Sequence, residues 1–258
     1  MYLKTDQESE MMRASALLVS KTLAYVGSEL RPGVTTKSLD RLADTFIRDH
    51  GALPSFLNYN GFPASLCISI NDTVVHGIPD EKTIIKEGDI VSVDCGVILN
   101  GWQGDSAYTF ACGEIPAELQ RLLDVTKESL ERGIEKAVAG NRVGDIGYAI
   151  QQYVESEGFS VVRDFVGHGI GKSMHEKPEI PNYGRRGTGQ LLKEGMVICI
   201  EPMINMGQYK VVISGNDGWR VTTADGKPSA HFEKQLAVRK HKADVLTSYE
   251  EINKLLNQ

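Results

Sequence analysis

The sequence has no apolar run approaching the roughly 20 residues that a bilayer-spanning helix requires. Its first residues, MYLKTDQESEMM, lack the apolar core of a signal peptide. It has no low-complexity tract and no evident linker, so the 258 residues are expected to form a single domain. It has no excess of positive charge either. A net charge of −6 argues against nucleic-acid binding. The four cysteines, Cys67, Cys95, Cys112 and Cys199, contain no C-x-x-C pair. All lie in or beside apolar, strand-like runs, which points to buried, reduced thiols and a cytoplasmic protein. What is present is an ordinary globular composition, 41% hydrophobic and 24% charged.

The most informative stretch is KEGDIVSVDCGVILNGWQGDSAYTF, from Lys86 to Phe110. Ile90 to Ile98 is a β-branched apolar run, which favours a strand. Asn100-Gly101 signals a two-residue type I′ turn, whose central positions both need positive φ. Trp102 to Ala111 is then the return strand. With this turn Leu99 faces Trp102, and Gly96 faces Asp105. Gly96 shares a face with Asp94, because side chains alternate along a strand. Asp94 and Asp105 therefore become diagonal neighbours with Cβ atoms roughly 6–8 Å apart. Two converging carboxylates repel, and burying them costs several kcal/mol unless something compensates. A solvated polar face or a turn-capping Asp would explain a lone acid; two converging acids in a Val/Ile-rich hairpin favour a metal.

Part of this pattern recurs. Lys86-Glu87-Gly88, an apolar strand and Asp94 match Lys193-Glu194-Gly195, an apolar strand and Glu201. Upstream stand His76-Gly77-Ile78 and His168-Gly169-Ile170. The order predicts two related halves, roughly residues 1–113 and 114–258, meeting at a shared site. Helices are expected before each half's strands. Thr5 to Glu8 forms a capping box opening the first, with Met12, Ala16, Leu17, Val19, Leu23 and Val26 inward. Thr35 or Thr36 caps the second, which ends near Gly51. Pro116 suits the first position of a third that runs to about Gly140, and Val143 to Glu157 forms a fourth. Ser248 to Leu256 is a short terminal helix. Asn216-Asp217-Gly218-Trp219 forms a turn, and Ser229 to Val238 one strand.

Taken singly, the remaining polar residues have plain explanations. His76 would be a hydrogen-bonded strand histidine, His168 and His175 structural, and Glu233 an edge-strand surface acid. Glu201 is less easily dismissed, because it closes the apolar strand Met196 to Ile200. Beside paired acids, metal-ligand and acid–base roles for the histidines gain weight.

The ordered set Asp94, Asp105, His168, Glu201 and Glu233 resembles that of the type I methionine aminopeptidases, in their short bacterial form. So do Cys67-Ile68-Ser69-Ile70-Asn71, His76-Gly77-Ile78-Pro79, Gly167-His168-Gly169-Ile170-Gly171, Glu201-Pro202-Met203 and Phe232-Glu233. The resemblance implies an α+β "pita-bread" fold, two pseudo-symmetric halves forming a curved, mainly antiparallel sheet backed by helices. It also implies two divalent metal ions: Asp94 on one, His168 and Glu201 on the other, Asp105 and Glu233 bridging both. Four carboxylates and one His suit Mn²⁺, Fe²⁺ or Co²⁺, with Zn²⁺ admissible. The implied activity is removal of the initiator methionine from nascent chains with a small second residue, by a metal-bound hydroxide attacking the scissile carbonyl. Glu201 would shuttle protons, His175 steady the oxyanion and His76 hydrogen-bond the substrate backbone. Tyr59, Phe62, Cys67 and Trp219 would form the methionine pocket. The implied protein is a monomer that meets nascent chains, with the ribosome as a candidate partner and no membrane association.

Three residues depart from the family pattern: Met174 where an aromatic is frequent, and Asn60 and Lys234 where histidines are. Related readings are weaker. Prolidases and aminopeptidase P carry a further N-terminal domain, for which no room is expected here. The type II enzymes carry a helical insertion absent between Glu201 and Glu233. A non-catalytic binding module would be expected to have lost metal ligands, and a dinuclear phosphatase would not need a methionine pocket.

Overall fold

The computed structural model describes residues 2–213 and 217–256; Asn216 of the expected turn lies outside the described residues. Five α-helices are described: α1 (Asp6–Glu29), α2 (Thr36–Asp49), α3 (Ala117–Lys136), α4 (Val143–Ser156) and α5 (Glu250–Leu256). The capping box of α1 forms as expected. Thr5 Oγ1 accepts from the Glu8 amide at 3.2 Å, and the Glu8 carboxylate accepts from the Thr5 amide at 2.8 Å. For α2 the cap is Thr35, which accepts from the Ser38 amide. Pro116 is the N-cap of α3 rather than its first residue, and α3 stops at Lys136. Leu17 is exposed, unlike the fully buried Met12, Ala16, Val19, Leu23 and Val26 on the face of α1 that packs on the hairpin.

The hairpin has the register that its turn dictates. Asn100 and Gly101 take φ of 53° and 77°. Leu99 pairs with Trp102, Gly96 with Asp105 and Asp94 with Ala107. The Ile90–Leu99 strand is central to its sheet. It pairs with Trp102–Ala111 on one side and with Leu66–Ile70 and Leu53–Pro54 on the other. A second sheet runs Asp244–Val245, Lys234–Ala237, Val197–Ile200, Gly167–Gly169, Glu176–Ile180. Every ladder between the described strands is antiparallel.

Helix α1 lies close against the hairpin because Gly104 allows it. A Cβ there would fall 2.6 Å from the carbonyl carbon of Ser15. The K-E-G segments end in the same backbone state, with φ of 87° at Gly88 and 86° at Gly195. Each turns the chain into a buried strand.

The Ser229–Val238 segment is not one strand. It divides into Ser229–His231 and Lys234–Ala237, which join different sheets, and Phe232-Glu233 form the break. No helix among the described residues is long and apolar enough to cross a membrane.

Candidate metal centre

The acids converge because the hairpin and the Gly167–Gly169, Val197–Ile200 and Lys234–Ala237 strands of the second sheet meet around one cavity. The hairpin brings Asp94 and Asp105; the Val197–Ile200 strand delivers Glu201 from its end; Glu233 sits at the break between the two C-terminal strands. His168 comes from the short Gly167–Gly169 strand. Its Nε2 lies 3.6 Å from both Asp105 Oδ2 and Glu201 Oε1. Its Nδ1 is 2.9 Å from the Gly169 carbonyl, which can only accept, so Nδ1 carries the proton and the Nε2 lone pair faces the acids.

Glu233 is 2% exposed, not the surface acid that an edge strand would carry. Its amide donates to the Ala107 carbonyl at 3.0 Å. Its carbonyl accepts from Ser106 Oγ and from the Tyr249 hydroxyl, both at 2.6 Å. These contacts consume its backbone groups and leave the carboxylate to the site. Lys234 points the other way and pairs with Glu131.

Burial raises all four carboxyls. Asp105 is pushed up to about 8 by desolvation. Asp94, Glu201 and Glu233 are raised well above the usual range by burial first and then by the charge of Asp105. Among the described residues, Asp94 Oδ1, Asp105 Oδ1 and Glu233 Oε1 are buried without a hydrogen-bond partner. Oxygens so placed fit a divalent cation, which would bind them and offset their repulsion. Donor atoms of Asp105, His168, Cys199 and Glu233 all lie within 4.8 Å of one another.

A cavity of about 230 Å³ opens beside this cluster. Its lining includes every candidate from the sequence: Tyr59, Phe62, Cys67, His76, Asp94, Asp105, His168, His175, Glu201, Trp219 and Glu233. Phe62 and Trp219 meet edge to face at 5.2 Å between ring centres. Cys67 lies opposite Asp94 across the ladder and is buried. His76 is not in a strand. It sits one residue beyond Thr73–Val75 at a φ of 59°, a strained state for a non-glycine residue, and its ring stands edge-on to Phe165. Burial pushes its pKa down to about 4, so the ring is neutral near pH 7. His175 Nδ1 is 2.7 Å from the Tyr59 hydroxyl. Of the departures, Asn60 lines the cavity, while Met174 packs in the core with Trp102, Val197 and Cys199.

Residues 10–240 match the model of metallopeptidase family M24. The methionine aminopeptidase of Clostridium acetobutylicum is 55% identical over 245 residues, spanning 95% of this chain and 98% of that one. The chain belongs to this family, among its methionine aminopeptidases. The crystal structure of the family member from Rickettsia prowazekii superposes with a TM-score of 0.94 at 47% identity, over 96% of this chain and all of that one. The Xaa-Pro dipeptidase of Bacillus anthracis shares the fold at a TM-score of 0.77 and 23% identity, over 95% of this chain and 62% of that one. The α+β pita-bread architecture is therefore that of the family.

Two contributors to the site escaped the sequence reading. His231 is 2% exposed, and its Nε2 lies 3.8 Å from Glu201 Oε2. Burial holds its pKa down to about 3. It stands two residues before Glu233, and the period of two that put Asp94 with Gly96 could have flagged it. Cys199 stands two residues before Glu201, and its thiol faces the Glu233 carboxylate. The sequence places it in the core, as its full burial confirms, but shows nothing of what lies beside it.

Proposed function

We propose that the protein removes the N-terminal methionine from peptides whose second residue is small, using two divalent metal ions. The observation that carries this reading is the set of buried, unpartnered carboxylate oxygens at the floor of an aromatic-walled cavity. Asp94 would hold one ion, His168 and Glu201 the other, and Asp105 and Glu233 both. Oxygen donors with one imidazole favour Mn²⁺, Fe²⁺ or Co²⁺ over Zn²⁺. When bound, the ions polarise the scissile carbonyl and acidify a water for attack.

The chain's own groups do the rest. Phe62 and Trp219 receive the methionine side chain, with Tyr59 and Cys67 completing the wall. The cavity's volume of about 230 Å³ suits one residue rather than a long peptide. Glu201 takes a proton from the attacking water and returns it to the leaving amine. Neutral His76 hydrogen-bonds the substrate backbone at the scissile amide, and His175 steadies the tetrahedral oxyanion. The resident halves, residues 1–113 and 114–258, are on this reading pseudo-repeats, each supplying acids to the shared centre. Nascent polypeptides in the cytoplasm are the substrates this chemistry serves.

The test is methionine release from Met-Ala-Ser and Met-Lys-Ser after chelation, with Mn²⁺, Co²⁺, Fe²⁺ or Zn²⁺ restored singly. Release from Met-Ala-Ser alone, dependent on metal, is expected. Equal release from both peptides would remove the small-residue preference; none with any metal would remove the activity.

A further inference from the structure

We propose that Lys4 is a positioning residue for His175, acting through Glu176. The inference rests on the role given to His175 above. Lys4 lies ahead of the first helix, yet its side chain is only 3% exposed. A lysine is almost never buried so fully unless it is paired. Its Nζ donates to Glu176 Oε2 at 2.6 Å. Glu176 follows His175 directly and opens the Glu176–Ile180 strand. Its other carboxylate oxygen accepts from the Ser173 amide.

The approach is close enough to depend on two glycines. A Cβ on Gly171 would lie 2.8 Å from Lys4 Nζ, and one on Gly195 would lie 2.7 Å from the Lys4 carbonyl oxygen. The Lys4 amide donates to the Gly195 carbonyl at 2.7 Å. Lys4 thus bridges the 171–175 loop and the residue that leads into the strand ending beside Glu201. The loop is otherwise irregular. Gly171 accepts from the Gln103 amide and donates to Ser173. His175 itself meets Tyr59 on the cavity side. Tyr59 and the His168 ring, 4.4 Å away between ring centres, meet the imidazole itself, while Lys4 and Glu176 hold the backbone that carries it. Losing the ammonium leaves Glu176 uncompensated and frees the loop to shift, and a shift of about 1 Å at a catalytic group can cost on the order of 100-fold in rate.

Lys4→Met keeps the apolar stem and removes the charge. It is expected to lower kcat for Met-Ala-Ser by about 10-fold, with KM and metal affinity changed less than about threefold. Lys4→Arg should restore most of the rate, and Glu176→Gln should reproduce the loss. Calorimetry supplies a readout besides turnover. Lys4→Met should weaken a phosphinic analogue of the tetrahedral state about as much as it lowers kcat, and leave L-methionine binding unchanged. Equal loss for both ligands, or a lower melting temperature with unchanged kcat, would show a structural clamp only and overturn the proposal. His175→Ala separates the two readings. If it leaves kcat intact, the oxyanion role falls; if it cripples kcat while Lys4→Met does not, only the present inference falls.

Discussion

Stripping the metal should give the protein a pH-dependent stability that the loaded form lacks. Asp105 in the fold keeps its proton to about pH 8, because burial opposes the charge, whereas an unfolded Asp loses it near 3.9. Between those values the native state binds more protons, so stability falls as pH rises. Asp94, Glu201 and Glu233 are shifted in the same direction. The buried histidines work against them at lower pH. His76 and His231 stay neutral down to about 4 and about 3. Their unfolded counterparts protonate near 6.5, so below that pH stability rises with pH. The two sets offset one another below about 6.5, and above it the carboxyls act alone. Each proton retained costs about 1.4 kcal/mol per pH unit. One proton retained by this carboxyl cluster from pH 6.5 to 8 therefore accounts for about 2 kcal/mol, or about 4–8 °C of melting temperature in a chain of this size. The assay is a melt at pH 6.5, 7.25 and 8, with chelator and after Mn²⁺ is restored. The gap between the two forms should widen with pH, and Asp105→Asn should reduce the slope of the chelated form. A chelated protein whose melting temperature holds level or rises over that range would refute the argument.

Other consequences are simpler. His76→Ala should lower kcat roughly 100-fold or more while metal content by elemental analysis stays unchanged; loss of metal would make His76 a ligand instead. Trp219→Ala removes a wall of the cavity and should raise KM for Met-Ala-Ser by about 10-fold, as for loss of about 1.5 kcal/mol of apolar contact; an unchanged KM would place the methionine elsewhere. Gly104→Ala should cost about 1–3 kcal/mol in chemical denaturation, because its Cβ would press on backbone of α1 that cannot rotate away; an unchanged midpoint would show that the helix can move.

Local chemistry made much of the fold legible. The Asn100-Gly101 turn fixes the hairpin's register, and the register puts Asp94 and Asp105 on one face; neither step requires knowledge of the rest of the chain. The same is true of Thr5 and Glu8, whose interaction spans only three residues. Where the outcome depends on distant partners, local pattern misleads. Ser229 to Val238 alternates like one strand, but its two ends pair with Met203–Asn205 and Val197–Ile200, in different sheets. The break between them is what turns Glu233 inward. His76 likewise follows an apolar strand-like run, and nothing local announces its positive φ or the Phe165 ring beside it. Asp94 and Asp105 are legible as candidate ligands from hairpin register, whereas His168, Glu201 and Glu233 are legible only from combined phrases. His231 belongs to none of those phrases and was passed over, although it lies within 4 Å of Glu201.

The Tyr249 hydroxyl, which donates to the carbonyls of Ala107 and Glu233, sets a timetable for synthesis. Translation at about 5–20 residues per second separates the emergence of Asp94 from that of Tyr249 by roughly 8–30 s. Early in that interval the hairpin can form, but its two acids face no histidine and no third or fourth carboxylate until His168, Glu201 and Glu233 have followed, and Glu233 has no fastening until Tyr249 is made. A metal met early would find a partial, weaker set of donors. Each new copy therefore becomes competent only when nearly its whole chain has been made.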